Sequence, residues 1–384
     1  GVIFGVLSTI IILPSLLMRF DKYIEKWKHP IILKEPKKLP AFLTKHYKGI
    51  LVIFLVLFIP MGYAQNHTKV YYDLSANMPQ DFASIIGTNK LKDQFHMTTT
   101  HFLLVDENLE NYQIKEICDE VEKLNGVYSV VSYESLIGGR IPTQLEPEAV
   151  KTILNNGGKK MILVNSTYRA ATDEENEQLD KIDNIMHKYD KHAVIAGEGS
   201  LTRDLITTTD IDFKMVNILS VLAIFLIIVI TFKSLALPVI LVASIEFAIC
   251  INMGIPYFTG SVLPFIASIV IGTIQLGATV DYAILMTTRY KEELSNGKPV
   301  IEAAREAAAK SAPSIITSGL SFFAACIGVS FIAKMDLIKS LCTLISRGAV
   351  ISMLVILLVL PALLIIFHKA IEKTTKGWPK ANLK

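Results

Sequence analysis

Asp281 is the only formal charge in the 26 residues SVLPFIASIVIGTIQLGATVDYAILM, Ser261–Met286. A carboxylate at membrane depth costs several kcal/mol on most scales, and is carried only where it faces a bundle interior or a wet cavity. Such residues mark ion and substrate pathways. A carboxyl there changes charge with one proton, which makes Asp281 the candidate proton carrier. Gly277 and Ala278 precede it at i−4 and i−3, on the same helix face. Their small size lets a second helix approach the carboxyl. Ser318, in the small-xxx-small spacing Ser314–Ser318, is the matching packing residue on the next apolar run. Tyr282 follows Asp281 about 100° around the helix, so its hydroxyl is free to serve a carboxylate on a facing helix.

Two further charges lie in apolar runs. Glu246, mid-way in LPVILVASIEFAICINMGIPYF (Leu237–Phe258), is either another relay member or cation site, or a carboxyl facing a wet cleft. Arg347 either snorkels to the outer interface or pairs with an acid. Asn252 is expected to hydrogen-bond between helices. Thr273, Gln275, Thr279, Thr317 and Ser321 read mainly as helix-packing polar residues. Asp210 and Asp212 suit the start of a helix. The sequons at Asn66 and Asn165 carry no assigned role.

The composition agrees with a membrane protein. Of 384 residues, 51% are hydrophobic, and the mean hydropathy is +0.44, unusual for a soluble chain of this size. Cys118, Cys250, Cys326 and Cys342 form no CxxC spacing and read as small buried hydrophobes. No phosphate-binding G-x-x-x-x-G-K-[ST] loop, HExxH or G-x-S-x-G occurs, so neither ATP hydrolysis nor covalent catalysis is indicated, and no metal site.

Hydropathy predicts seven spans: Gly1–Met18, Ile50–Ala64, Phe213–Phe232, Leu237–Ile255, Val262–Met286, Ser314–Ala333 and Leu341–Phe367. Phe42–Tyr47 is the expected extension of the short second span. Arg19–Lys48 carries nine basic and three acidic residues, and the tail after Phe367 carries five Lys and one Glu. With single crossings these basic flanks share one side, predicted cytoplasmic, and leave residues 65–212 outside. That block alternates strand-like runs (His101–Asp106, Val127–Ser132, Lys160–Asn165, Ala193–Gly197) with helix-like ones (Gln80–Gln94, Gln113–Leu124, Glu146–Asn155, Glu174–Tyr189). It predicts a two-layer α/β domain, with Leu201–Phe213 running straight into the third span.

The chain also repeats itself. Gly1–Lys26 and Gly348–Lys373 match without gaps at 11 of 26 positions, sharing an LPxLLxxFxKxIEK frame. The repeat unit is one span, a large outside domain and five more spans. The chain therefore reads as the end of one copy plus a whole second copy, with the N-terminal repeat of the same protein missing. The expected organisation is residues 1–27, last helix of the first repeat; 28–47, basic cytoplasmic linker; 48–64, first helix of the second repeat; 65–212, extracytoplasmic domain; 213–367, five-helix bundle; and 368–384, basic cytoplasmic tail.

GATVDYAILMTTRYKEEL (Gly277–Leu294), ITFKSLALP (Ile230–Pro238) and MPQDFASIIGTNKLKDQF (Met78–Phe95) resemble motifs of the MMPL branch of the resistance-nodulation-division (RND) superfamily. The resemblance is to the C-terminal repeat of a bacterial member. It implies a multi-pass α-helical bundle, one six-helix RND-type repeat plus the last helix of the preceding one, with an inserted extracytoplasmic α/β domain of ferredoxin-like (βαβ) type. It further implies a plasma-membrane exporter, driven by the proton-motive force, for lipids or other hydrophobic cargo. Asp281 and Tyr282 match the family's Asp-Tyr relay, and the partner pair would lie in the missing half. Membrane lipids are the implied surroundings, protons the coupling ion, with no other cofactor, no nucleic acid and no enzymatic activity; the family includes oligomeric and monomeric members. Glu246 and Lys233 depart from its pattern. A protein-translocation motor subunit and a sterol- or lipid-sensing receptor are the alternatives.

Overall fold

The computed structural model describes residues 2–27, 35–72, 78–137 and 154–380. Among them, seven helices are long and apolar enough to cross a bilayer: α1, Ile3–Lys26; α3, Tyr47–Asn66; α7, Glu198–Phe232; α8, Ala236–Thr259; α9, Phe265–Ser295; α10, Val300–Ile332; and one running over Asp336–Ile366, broken near its end into α11, Asp336–Leu358, and α12, Leu360–Ile366. All seven predicted spans are found. Most of the helices run past the apolar core, since nothing in a polar flank stops a helix that capping and packing continue.

Between α1 and α3 lies a separate helix, α2, Lys38–Lys45. Phe42 therefore does not lengthen the second span as expected. His46, at φ −108° and ψ 24°, breaks the helical path between the two. Near the end of the chain, α13, His368–Thr374, follows α12. The two copies of the repeat share a distortion as well as a sequence. A π-helical turn, Ser8–Ile12, stands before Pro14, and the break at Val359 stands before Pro361. A proline lacks the N–H that the preceding turn would use, so both ladders slip at the same place.

The inserted domain is built on a sheet of β2 (Thr99–Asp106), β3 (Val127–Val131), β4 (Asn155–Asn156), β5 (Lys159–Ser166) and β6 (Val194–Gly197). The main order is β3-β5-β2-β6, every neighbour antiparallel, and β4 pairs with β5. Helices α4 (Ala83–Phe95), α5 (Asn111–Glu122) and α6 (Asp173–Tyr189) alternate with the strands. The chain order strand–helix–strand–strand–helix–strand in this sheet order is the ferredoxin-like split βαβ arrangement. Alternation sets the core: Leu103, Val105, Ile162 and Val164 point to one face, where they bury Ile114, Ile117, Ile182 and Met186 of α5 and α6. Glu110 and Gln113 close a capping box that starts α5, and Thr172 Oγ1 accepts from the Glu175 N–H to start α6. The helix expected at Glu146–Asn155 falls mostly outside the described residues.

The domain joins the bundle through one continuous helix. α7 starts at Glu198, one residue after β6, and runs 35 residues to Phe232. A second tie is β1, Val70–Tyr71, which pairs in parallel with β7, Leu263–Pro264, just before α9. In the bundle, α8 and α11 are the most buried spans. Small residues set the helix spacing. A Cβ on Gly254 would stand 3.1 Å from the Met61 carbonyl oxygen of α3, and one on Gly319 3.0 Å from Met353 Sδ of α11.

Candidate functional site

α9 carries the residues singled out in the sequence, and it packs against α8, α10 and α11. Two faces follow from this. Gln275, Leu276, Thr279, Tyr282, Ala283 and Met286 are buried. Ile274, Gly277, Asp281 and Thr288, at spacings of three, four and seven, form an exposed stripe. A Cβ built on Gly277 meets nothing within 4 Å. Asp281 therefore lies on a seam that no described helix covers, rather than inside this bundle. Gly277 shares the seam as expected, while Ala278 is half-buried and turns toward α10 and α11. Ser318 is exposed, and the close contact on α10 is made one residue on, by Gly319.

Tyr282 points the other way. It is 6% exposed and lines a cavity of about 10 Å³ with Gln275, Ala278, Thr279, Phe322 and Ser352. That volume suits about one water. Among the described residues, no hydrogen bond joins Tyr282 to Asp281.

Behind Tyr282, a polar cluster ties three spans. Asn252 Nδ2 of α8 donates to Gln275 Oε1 of α9 at 2.8 Å and to the Leu344 carbonyl oxygen of α11 at 3.1 Å. Gln275 Nε2 donates to Ser352 Oγ at 3.0 Å. Arg347 of α11 donates from Nε to Asn252 Oδ1 at 2.8 Å and from Nη2 to the Asn252 carbonyl at 2.6 Å. Of the two roles open to Arg347, pairing with an acid does not fit: it serves an amide and a backbone carbonyl. A Cβ on Gly348 would stand 2.6 Å from Asn252 Nδ2 and 2.7 Å from Gln275 Oε1, so a glycine is needed for the cluster to close.

Two open spaces lie toward the sheet domain. One, of about 410 Å³, lies between α3, α7, α8 and α9 and is lined by Gln65, Asn66, Thr68, Lys214, Asn217 and Ser268, with Met253 and Phe265. The other is an apolar groove of about 440 Å³ along α7, lined by Asn217, Ile218, Val221, Leu222 and Phe225. Asn217 and Ile218 line both, so the two adjoin.

The sequence model of the MMPL family matches residues 79–382, most of the chain. The chain belongs to the MMPL family, within the RND superfamily. Among MMPL relatives, it is 26% identical over 341 residues to the putative membrane protein YdgH of Bacillus subtilis, covering 87% of this chain and 36% of YdgH. It is 28% identical over 162 residues to the putative membrane protein ActII-3 of Streptomyces coelicolor, covering 41% of this chain and 22% of that protein. It is 24% identical over 181 residues to the heme uptake protein MmpL11 of Mycobacterium tuberculosis, covering 47% and 19%. The chain thus spans about a third or less of the length of these relatives. Among solved structures, SecDF, a translocon-associated membrane protein of Thermus thermophilus, aligns with a TM-score of 0.41 at 20% identity, over 58% of this chain and 30% of SecDF.

The cluster at Asn252 is the part of this MMPL bundle that sequence reasoning came closest to. Asn252 was expected to bond between helices, and it does; its partners were not legible. The inserted sheet domain holds a group that sequence reasoning missed. His101 and Glu175 are fully buried, with Nε2 3.8 Å from Oε1. Among the described residues, neither His101 ring nitrogen has a hydrogen-bond partner. Burial, with the Arg203 guanidinium as a second cause, pushes the His101 pKa down to about 4. A Cβ on Gly199, at the start of α7, would run into both side chains. The signal was present in the strand: His101 has the same parity as Leu103 and Val105, which puts a titratable ring on the core face.

Proposed function

We propose that this chain is the C-terminal part of a secondary exporter that uses the proton-motive force to move amphiphilic or lipid-like molecules. The observation that carries this reading is the exposed Asp281–Gly277 seam of α9. A carboxylate on a lipid-facing surface costs several kcal/mol. A glycine one turn away, with open space at its Cβ, suits a close helix contact. Both facts are accounted for if a second six-helix unit covers the seam and brings its own polar groups to Asp281. Tyr282, turned into the bundle, then acts on the α10–α11 side of the helix rather than on Asp281.

Gain and loss of the Asp281 proton would bias two packings of the halves against each other. One elementary charge crossing 100 mV is worth about 2.3 kcal/mol, enough to drive such a bias. The basic flanks put the sheet domain outside the cell, the side from which protons would enter. The adjoining cavity and groove along α7 support an amphiphilic cargo. Its polar end matches Lys214, Asn217 and the neighbouring hydroxyls, and its apolar end matches Val221 and Phe225. The MmpL11 of Mycobacterium bovis is named a probable transport protein, which agrees with this reading.

The test uses the full-length protein in proteoliposomes with an imposed pH gradient. Asp281→Asn keeps shape and removes titration. Proton flux and efflux of a fluorescent phospholipid should both stop in the variant. A wild-type rate in the variant overturns the proposal, and cargo movement without proton flux in the wild type does so too.

A further inference from the structure

Glu246 stands near the middle of α8, and its Oε1 is buried with no hydrogen-bond partner among the described residues. At 100° per residue, Val239, Glu246 and Met253 fall on one stripe of the helix, each about 10 Å from the next along the axis. Met253 lines the polar cavity of about 410 Å³ on the domain side. Val239 lines a second cavity of about 350 Å³ near the opposite end, between α3, α8 and α12, with Leu51, Phe54, Leu363 and Phe367. The carboxyl therefore stands between two cavities on one helix face.

The two cavities differ in chemistry. The domain-side space has amides, hydroxyls and an ammonium on its walls, and its Gln65 Oε1 is itself buried without a partner. A space of that size and polarity holds water. The opposite space is walled by apolar side chains alone, and apolar cavities stay dry.

Among the described residues, no opposite charge reaches Glu246. On its own helix the nearest ionisable group is Cys250, one turn away. On α3, between Lys48 and Gln65, only Tyr63 ionises, and it stacks on His67. On α7, nothing ionises between Lys214 and Lys233. Arg347 is held by Asn252, and Asp281 lies on the seam of another helix. A buried carboxylate oxygen with no partner is costly, and binding one proton removes that cost. A hard cation would need several oxygen ligands. The stripe neighbours Val239, Val242, Cys250 and Met253 offer none from their side chains.

We propose that Glu246 is a second proton-binding site, separate from Asp281, hydrated from the domain-side cavity and closed off by apolar packing from the other side. It rests on the geometry of α8 and its two cavities, and holds whether or not Asp281 couples to transport.

The test is chemical modification of the full-length protein in sealed vesicles of known orientation. A carbodiimide adds to a protonated carboxyl and rearranges to a stable N-acylurea, which mass spectrometry locates on the Leu237–Ile255 peptide. A water-soluble carbodiimide added on the domain side should modify Glu246, with a rate that falls about tenfold per pH unit once the proton is lost. The same reagent on the other side should not. Ser268→Trp, which fills the domain-side cavity and leaves Glu246 in place, should slow the reaction, and Asp281→Asn should not change it. The proposal is overturned if Glu246 stays unmodified from the domain side, if it reacts equally from both sides, or if its rate is independent of pH. Loss of transport in Asp281→Asn with Glu246 modification intact separates this site from the proposed relay.

Discussion

The Arg347 guanidinium grips Asn252 at two points, the side-chain oxygen at 2.8 Å and the main-chain carbonyl at 2.6 Å. A cation inside a membrane bundle is thus used to lock α11 to α8 through a neutral amide. The carbonyl it takes is the one that Pro256, four residues on and without an N–H, leaves free in the α8 ladder, so the bond also marks a fixed crossing point of the two spans.

Arg347→Met should leave both Asn252 acceptors short of a donor. The expected loss is about 1–2 kcal/mol of bundle stability, the upper part of the range for polar contacts in membranes. Thermal unfolding in detergent measures it. An unchanged unfolding temperature would mean that the guanidinium is a bystander.

Gly348→Ala should be as damaging as removal of the arginine, because its methyl falls on the Asn252–Gln275 hydrogen bond. Loss of about 1–3 kcal/mol is expected. The double variant Gly348→Ala with Gln275→Ala should lose less than the sum, since both act on one contact. Simple additivity in the double-mutant cycle would show that the clash is relieved elsewhere.

Gly277→Leu separates stability from function. A Cβ there meets nothing in this bundle, so the stability of the chain should hold within about 0.5 kcal/mol, read by unfolding in detergent. In the full-length protein, a leucine on the seam should hold a second helix away from Asp281 and stop transport. Normal flux in that variant would mean that nothing packs there.

His101 should make the inserted domain acid-sensitive. The folded domain holds the ring neutral down to about pH 4, whereas the unfolded chain takes up the proton near pH 6.5. With its pKa lowered on folding, the ring contributes stability that is fully present above pH 6.5 and is lost as pH falls from 6.5 toward 4. The full loss is roughly 3 kcal/mol. Protection factors of the β2 and β5 amides against hydrogen exchange, taken relative to the intrinsic rate at each pH, should fall on acidification in the wild type and do so less in His101→Leu. Equal acid sensitivity in the two would assign the effect to other groups. Gly199→Ala should loosen the same amides at neutral pH, because its methyl competes with the His101–Glu175 pair for space.

Much of this architecture is written in local patterns. β2, β3, β5 and β6 lie within two residues of their expected ends, since alternation and turn residues mark a strand without help from its neighbours. The spans are equally plain, because a long apolar run has one stable conformation in a bilayer. The candidate site was legible only in part. Asp281, Glu246 and Arg347 announced themselves by being charges in apolar runs, and Gly277 by its place on the Asp281 face. Nothing local announced Gly348, since its role depends on two side chains from other helices.

Sequence alone determined how many spans there are, the strand–helix order of the inserted domain, the repeated terminal helix and the identity of the charges that need explaining. Each of these depends on neighbours close along the chain. Only the tertiary structure decided that Asp281 stays on an open seam, that Arg347 serves Asn252, and that Glu246 stands between a polar and an apolar cavity. A helix that is apolar on every side has no periodic mark saying which face meets which partner, so that choice is made by side-chain shape and hydrogen-bond matching across helices distant in sequence.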